Sequence, residues 1–182
     1  MKSRLKIRLL PSPHQRKRRG QAVDLVVIHA ITCPPGHFGT ADVDALFLGT
    51  LDTAKHSAYR EVEGKELSAH FLLDRRGRVT QFVATERVAY HAGVSRWRGR
   101  ESCNEFSVGI ELIGDIAHDF TERQYATLAR LCRDLMRTHP DITPRRIVGH
   151  SQVAMPRGRK WDPGPRFDWQ RLHRELSALH RR

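Results

Sequence analysis

The chain has 182 residues, with 32 Lys and Arg against 20 Asp and Glu, a formal net charge of +12 with histidines neutral. This length suits one domain, and a chain 39% hydrophobic and 29% charged is too apolar to be disordered. Apolar runs such as Leu25–Ile28 span only a few residues, which excludes a bilayer-spanning segment.

Residues 1–20 carry Lys2, Arg4, Lys6, Arg8, Arg16, Lys17, Arg18 and Arg19 and no acid, so they supply +8 of the charge. They are expected to form a basic N-terminal arm ahead of a single domain over 21–182. A secretory signal would follow such a segment with an apolar stretch, but Leu9-Leu10-Pro11-Ser12-Pro13 breaks off at once, so a cytoplasmic location is expected. The three cysteines, Cys33, Cys103 and Cys132, form no C-x-x-C pair and read as buried reduced thiols. The basic run 16–19 could meet nucleic acid or acidic lipid, but no helix-turn-helix, finger or paired-aromatic pattern accompanies it. A solvated loop is the reading preferred for it.

In chain order, Asp24-Leu-Val-Val-Ile28 is a β-branched run that predicts a buried strand ending at His29. A short helix over 42–48 follows, with Val43, Leu46 and Phe47 on one face. Ala69–Leu73 and Val79–Val83 flank Asp74-Arg-Arg-Gly-Arg78, a hairpin signal in which Gly77 can take φ > 0. Ser107–Ile113 reads as a strand. Thr121-Glu-Arg-Gln124 matches a capping box opening a helix that carries Tyr125, Leu128, Cys132 and Leu135 at helical spacing and cannot pass Pro140. Ile147–His150 is a short strand, 156–165 is a Pro/Gly-rich loop, and a last amphipathic helix carries Trp169, Leu172, Leu176 and Leu179. Strands and helices mixed in this order predict an α/β (α+β) domain around one sheet.

Among eleven histidines placement decides. His29 and His150 each end a predicted strand, and Asp162 sits in Trp161-Asp-Pro-Gly164, a turn that can return its carboxylate to the same cleft. Two imidazoles and a carboxylate suit zinc with a fourth position left for water, although spacings of 121 and 12 residues are far from a compact ligand motif. The same donor set serves non-haem iron oxygenases, but neither His29 nor His150 has an acid two residues on. Glu111 interrupts an apolar strand, and its carboxylate belongs in a cleft as a proton acceptor or in an ion pair with an arginine. If Asp162 holds metal, alternation along an extended loop puts Lys160 on the same side, where its ammonium could stabilise an oxyanion.

In combination these stretches resemble the zinc N-acetylmuramoyl-L-alanine amidases, and within them the cytoplasmic AmpD-type branch that acts on 1,6-anhydro-N-acetylmuramoyl peptides. The resemblance rests on Val-Val-Ile-His29, Pro-Pro-Gly-His-Phe-Gly39, Leu-Ser-Ala-His70, His-Ala-Gly-Val-Ser95, Glu-Ser-Cys-Asn104, Phe-Ser-Val-Gly-Ile-Glu-Leu112, Gly-His150 and Gly-Arg-Lys-Trp-Asp-Pro-Gly164, and covers nearly the whole chain. It implies a central mixed sheet flanked by helices, as in the phage-lysozyme-like amidases, with Zn2+ held by His29, His150 and Asp162 in a surface groove. Glu111 falls on the family's catalytic glutamate and Lys160 on its transition-state-stabilising lysine. Ala69 stands where the phage-lysozyme branch has a tyrosine, which favours the glutamate-using branch.

The implied reaction, in peptidoglycan recycling, is hydrolysis of the amide between the lactyl group and L-alanine of a muropeptide. Intact peptidoglycan as substrate and a non-catalytic muropeptide-binding module are the alternatives. Tyr90, His91, Trp97 and Arg159 are expected to line the substrate groove, His70 to be structural, and the protein to act as a monomer without membrane insertion. Ala30, Glu66, Ser102 and a loop between His150 and Asp162 about two residues longer than usual depart from the family pattern. All four bear on substrate preference and none on the metal ligands.

Overall fold

Two seven-residue strands pair in parallel at the centre of the molecule, and their alternating side chains divide it into two layers. The structure, a computed structural model, describes residues 5–180. The expectations for residues 1–4 and 181–182, including Lys2 and Arg4 of the basic segment, lie outside the described residues. The strands are β1 (Ile7–Leu9), β2 (Gln15–Lys17), β3 (Leu25–Ile31), β4 (Phe71–Leu73), β5 (Val79–Gln81), β6 (Arg87–Ala89), β7 (Arg96–Trp97), β8 (Arg100–Glu101), β9 (Ser107–Ile113) and β10 (Ile147–Gly149). The helices are α1 (Ala41–Leu48), α2 (Glu122–Thr138), α3 (His150–Val153) and α4 (Trp169–His180). The main sheet has the order β1-β5-β4-β9-β3-β10 and is parallel except between β4 and β5, so it is the mixed sheet expected.

One face of β3 and β9 presents Val26, Ile28, Val108, Ile110 and Leu112 to α2 and α4 and forms the larger core. The opposite face presents Leu25, Val27, His29 and Ile31 beside Ser107, Gly109, Glu111 and Ile113. Its two ends are apolar: Leu25 and Val27 pack with Cys103, Phe106 and Val148, while Ile113 packs with Leu72, Phe47 and Phe82. The polar positions His29 and Glu111 are paired residues in the register and lie between those clusters.

The predicted elements recur with small shifts. The capping box forms as expected: Thr121 Oγ1 accepts from the Gln124 N–H at 3.1 Å and Gln124 Oε1 from the Thr121 N–H at 3.0 Å. Gln124 Nε2 also donates to the Ile113 carbonyl, which ties α2 to the end of β9. The hairpin turn is held by Asp74 Oδ1, which accepts from the Arg76 and Arg78 N–H groups, with Gly77 at φ 74°. β3 runs two residues past His29 because β9 continues beside it, pairing Ala30 with Leu112 and Ile31 with Ile113. His150 opens a short helix instead of ending a strand, where Gln152 Oε1 accepts from the Gly149 N–H. The three cysteines are free and buried, as expected. No helix among the described residues is long and apolar enough to cross a membrane.

The expectation of a separate basic arm needs correction. β1 is an edge strand of the main sheet, β2 pairs with β6, and Arg16 forms an ion pair with Glu105. Arg18 turns inward: Nε donates to the Thr85 carbonyl, one Nη to those of Asn104 and Glu105, and the other to that of Ser107 at 2.8 Å. A guanidinium can satisfy so many converging carbonyls because its five N–H donors lie in one plane. This part of the charge is therefore internal structure. Arg18→Met, which leaves those buried carbonyls without donors, is expected to cost about 3 kcal/mol or more in urea unfolding, and Arg19→Ala, at an exposed site, within about 0.5 kcal/mol of nothing.

His70 is structural, as expected. Its Nδ1 accepts from the Gly109 N–H at 3.0 Å, which leaves its one hydrogen on Nε2 to donate to the Arg87 carbonyl. Burial pulls its pKa down to about 3. Below about 6.5 the unfolded chain binds a proton that the folded one refuses, so stability falls as pH drops from there toward 3. The expected outcome is a loss of about 1.4 kcal/mol per pH unit from this residue. Urea unfolding between pH 7 and 5 should show His70→Gln with a shallower dependence by one proton.

Candidate metal centre and active site

His29 reaches the site from the middle of β3, His150 from the first turn after β10, and Asp162 from the loop that returns to them. His29 Nδ1 lies 3.1 Å from Asp162 Oδ2, and His150 Nδ1 lies 3.1 and 3.0 Å from the two Asp162 oxygens. Their potential ligand atoms all fall within 4.8 Å of one another. The structure thus brings together the three residues singled out in the sequence.

Hydrogen-bond accounting decides what these atoms present to each other. His150 Nε2 faces the Ala92 carbonyl at 3.2 Å and must carry the hydrogen, because a carbonyl can only accept. Ser107 Oγ has one hydrogen, and it goes to the Cys103 carbonyl at 2.6 Å. Ser107 therefore accepts from His91 Nε2–H at 3.2 Å, and His91 Nδ1 accepts from His29 Nε2–H at 3.0 Å. In their neutral forms His29 and His150 therefore each turn an Nδ1 lone pair toward the Asp162 carboxylate. Burial lowers the pKa of His29 to about 4, so its ring is neutral at physiological pH. Two lone pairs and a carboxylate converging without a hydrogen between them form a cation site, and two nitrogens with one oxygen fit zinc.

Glu111 is buried in the same cavity, adjacent to His29 in the β3–β9 register. Among the described residues its Oε2 accepts no hydrogen bond. Burial, reinforced by the negative charge of Asp162 and opposed by Lys160, raises its pKa well above the ordinary value. A carboxyl in this state holds a proton more readily than an exposed glutamate does, which suits it to proton exchange in the cavity. Lys160 and Asp162 both line the cavity, and Trp161 between them is 72% exposed. That is the alternation expected of an extended loop.

The cavity is open, about 210 Å³ in volume. Of the four expected groove residues, Tyr90 and His91 line it. Both ring nitrogens of His91 are committed to His29 and Ser107, so its ring has no nitrogen left for a ligand. Trp97 does not line the cavity; it packs against the Cys103–Phe106 cluster. Arg159 borders an adjoining groove, but its Nε donates to the Met155 carbonyl and one Nη to those of Ala92 and Val94. Its guanidinium pins the 155–162 loop to residues 92–94, which accounts for its charge better than ligand contact does. Asn104, Ser107 and Gly109 were not singled out individually in the sequence. The alternation of Ser107, Gly109 and Glu111 on one strand face was the available signal.

A mixed sheet thus carries, in one cavity, a His-His-Asp group that could hold a metal ion, a buried carboxyl and an ammonium. Residues 19–165 match the N-acetylmuramoyl-L-alanine amidase family, and the chain belongs to that family of amide hydrolases. It is 46% identical over 165 residues to the 1,6-anhydro-N-acetylmuramyl-L-alanine amidase AmpD of Haemophilus influenzae, covering 90% of this chain and 89% of that protein. The crystal structure of a selenomethionine AmpD derivative superposes with a TM-score of 0.90 at 39% identity, covering 96% of this chain and 99% of that one. AmpDH3 from Pseudomonas aeruginosa in complex with an anhydromuramic pentapeptide gives a TM-score of 0.61 at 29% identity, covering 88% of this chain and 63% of that one.

Gly149 lets the Asp162 loop approach β10: a Cβ there would stand 2.8 Å from Pro163 Cδ and 3.5 Å from the Asp162 carbonyl oxygen. Gly149→Ala is expected to displace Asp162 and weaken zinc binding about tenfold or more in a chelator competition while the protein stays folded by circular dichroism.

Proposed function

We propose that the protein is a zinc-dependent 1,6-anhydro-N-acetylmuramoyl-L-alanine amidase. It cleaves the amide between the lactyl group and L-alanine of soluble muropeptides, in the cytoplasm, during peptidoglycan recycling. The observation that carries this reading is the convergence of His29 Nδ1, His150 Nδ1 and the Asp162 carboxylate beside the unpartnered Glu111 oxygen. The AmpD relatives support the substrate class, as does the AmpDH3 complex with an anhydromuramic pentapeptide.

His29, His150 and Asp162 would hold the zinc, which when bound would supply a Lewis acid for water and an amide carbonyl. Glu111, raised in pKa, takes the proton from the attacking water and returns it to the nitrogen of the departing L-alanine. Lys160 brings its ammonium to the oxygen that gains negative charge as the carbonyl becomes tetrahedral. Tyr90 offers the cavity a ring face against which sugar or peptide can lie. The products are an anhydro sugar with a free lactyl carboxylate and a stem peptide with a free amine.

The test incubates zinc-loaded protein with anhydromuropeptide and follows stem-peptide release by mass spectrometry, with intact sacculi in parallel. Release from the soluble fragment and little from sacculi is expected; cleavage of sacculi alone would move the assignment to polymeric peptidoglycan. Glu111→Ala should lower kcat by roughly 10²–10⁴, and undiminished turnover would remove Glu111 from the mechanism. A base must be ionised to act, so the raised Glu111 pKa shifts the acid limb of kcat/KM above the ordinary glutamate range near 4.3. Lys160→Ala should lower kcat more than it raises KM.

A further inference from the structure

The two ligand imidazoles draw their outer hydrogen bonds from one dipeptide. His29 Nε2–H donates to His91 Nδ1, and His150 Nε2–H donates to the carbonyl of Ala92, the next residue. That dipeptide is itself fixed from three sides. Asn104 Oδ1 accepts from both its backbone N–H groups, His91 at 3.2 Å and Ala92 at 2.8 Å. Ser107 Oγ accepts from His91 Nε2–H while donating to the Cys103 carbonyl. Gly109 clears the space above β9, because a Cβ there would collide with the His91 ring.

We infer that the Asn104–His91–Ala92 unit positions both metal-ligating imidazoles, locking each as the Nε2–H tautomer so that both Nδ1 lone pairs stand ready for the metal. The reason is chemical. An isolated neutral imidazole divides its hydrogen between two nitrogens, and the form with Nδ1–H cannot coordinate through that atom. An acceptor held against Nε2 selects the coordinating form before metal arrives and fixes the ring plane. One side-chain oxygen, Asn104 Oδ1, governs both rings because the acceptors it positions are adjacent in the chain. Neither His91 nor Asn104 needs to touch substrate for this, so they are positioning residues. This rests on the zinc reading above.

The test separates acceptor loss from packing loss. His91→Leu and Asn104→Ala remove the acceptors. His91→Asn places an amide oxygen close to the position of Nδ1, and Asn104→Asp keeps an oxygen facing the two backbone N–H groups. Zinc affinity is read on purified full-length protein by competition with a chelator of known affinity. Imidazole tautomers are read in the metal-free protein by long-range 1H–15N correlation, and thermal unfolding checks the fold. We expect His91→Leu and Asn104→Ala to bind zinc about 10–100-fold more weakly, and the two conservative variants to stay within about threefold of the parent. His29 and His150 should be Nε2–H tautomers in the metal-free parent and mixed in the weakened variants. Parent affinity in His91→Leu and Asn104→Ala, or equal losses in all four variants, would overturn the inference. Should the parent bind no zinc, the metal reading itself fails, and the tautomers of the metal-free protein still decide whether the unit acts on the imidazoles.

Discussion

The site depends on the register of β3 against β9. Parallel pairing of His29 with Glu111 puts an imidazole and a buried carboxyl side by side on one sheet face, with Ile31 and Ile113 paired two residues on. Parallel strands buried on both sides have their positions fixed from both faces. Here the larger core beneath α2 and α4 fixes one face, and two apolar clusters fix the ends of the other. A one-residue slip would put His29 into the larger core and Ile28 into the cavity. The geometry of the chemistry is thus set by apolar packing that takes no part in it.

Around that pair the remaining groups arrive on loops, and each loop is tied to the sheet. The Asp162 loop is drawn in by the Ser151 N–H donating to the Asp162 carbonyl and by Arg159 donating to the backbone of residues 92–94. The Ala92 carbonyl serves both Arg159 and His150, so one backbone oxygen joins the Asp162 loop to the His150 ring. Burial works in two directions here. It keeps His29 neutral and able to coordinate, and it keeps Glu111 high enough in pKa to exchange protons.

The chemically distinctive residues were legible in the sequence. Glu111 betrayed itself by interrupting an apolar strand, and His29 and His150 by their places at the ends of strand patterns. The capping box at Thr121 and the hairpin turn at Asp74 were legible because their interactions are local. What escaped were contacts between distant segments. Arg18 counted as surface charge because nothing in a basic run reveals that one of its members meets carbonyls of residues 85, 104, 105 and 107. His91 and Arg159 were recognised as belonging near the groove, but composition does not say whether a polar atom faces inward or toward a ligand. Asn104 was invisible as a functional residue because its work is done entirely on backbone N–H groups.

The central claim is that Nδ1 of His29, Nδ1 of His150 and the Asp162 carboxylate converge as a prepared zinc site beside Glu111. Anomalous diffraction at the zinc edge from crystals of the metal-loaded protein tests it most directly. The account predicts one zinc per chain, ligated through Nδ1 of both imidazoles and an oxygen of Asp162, with the Glu111 carboxyl facing the open coordination position. Coordination through Nε2 of either histidine, or a zinc bound elsewhere with these three residues unligated, would contradict it.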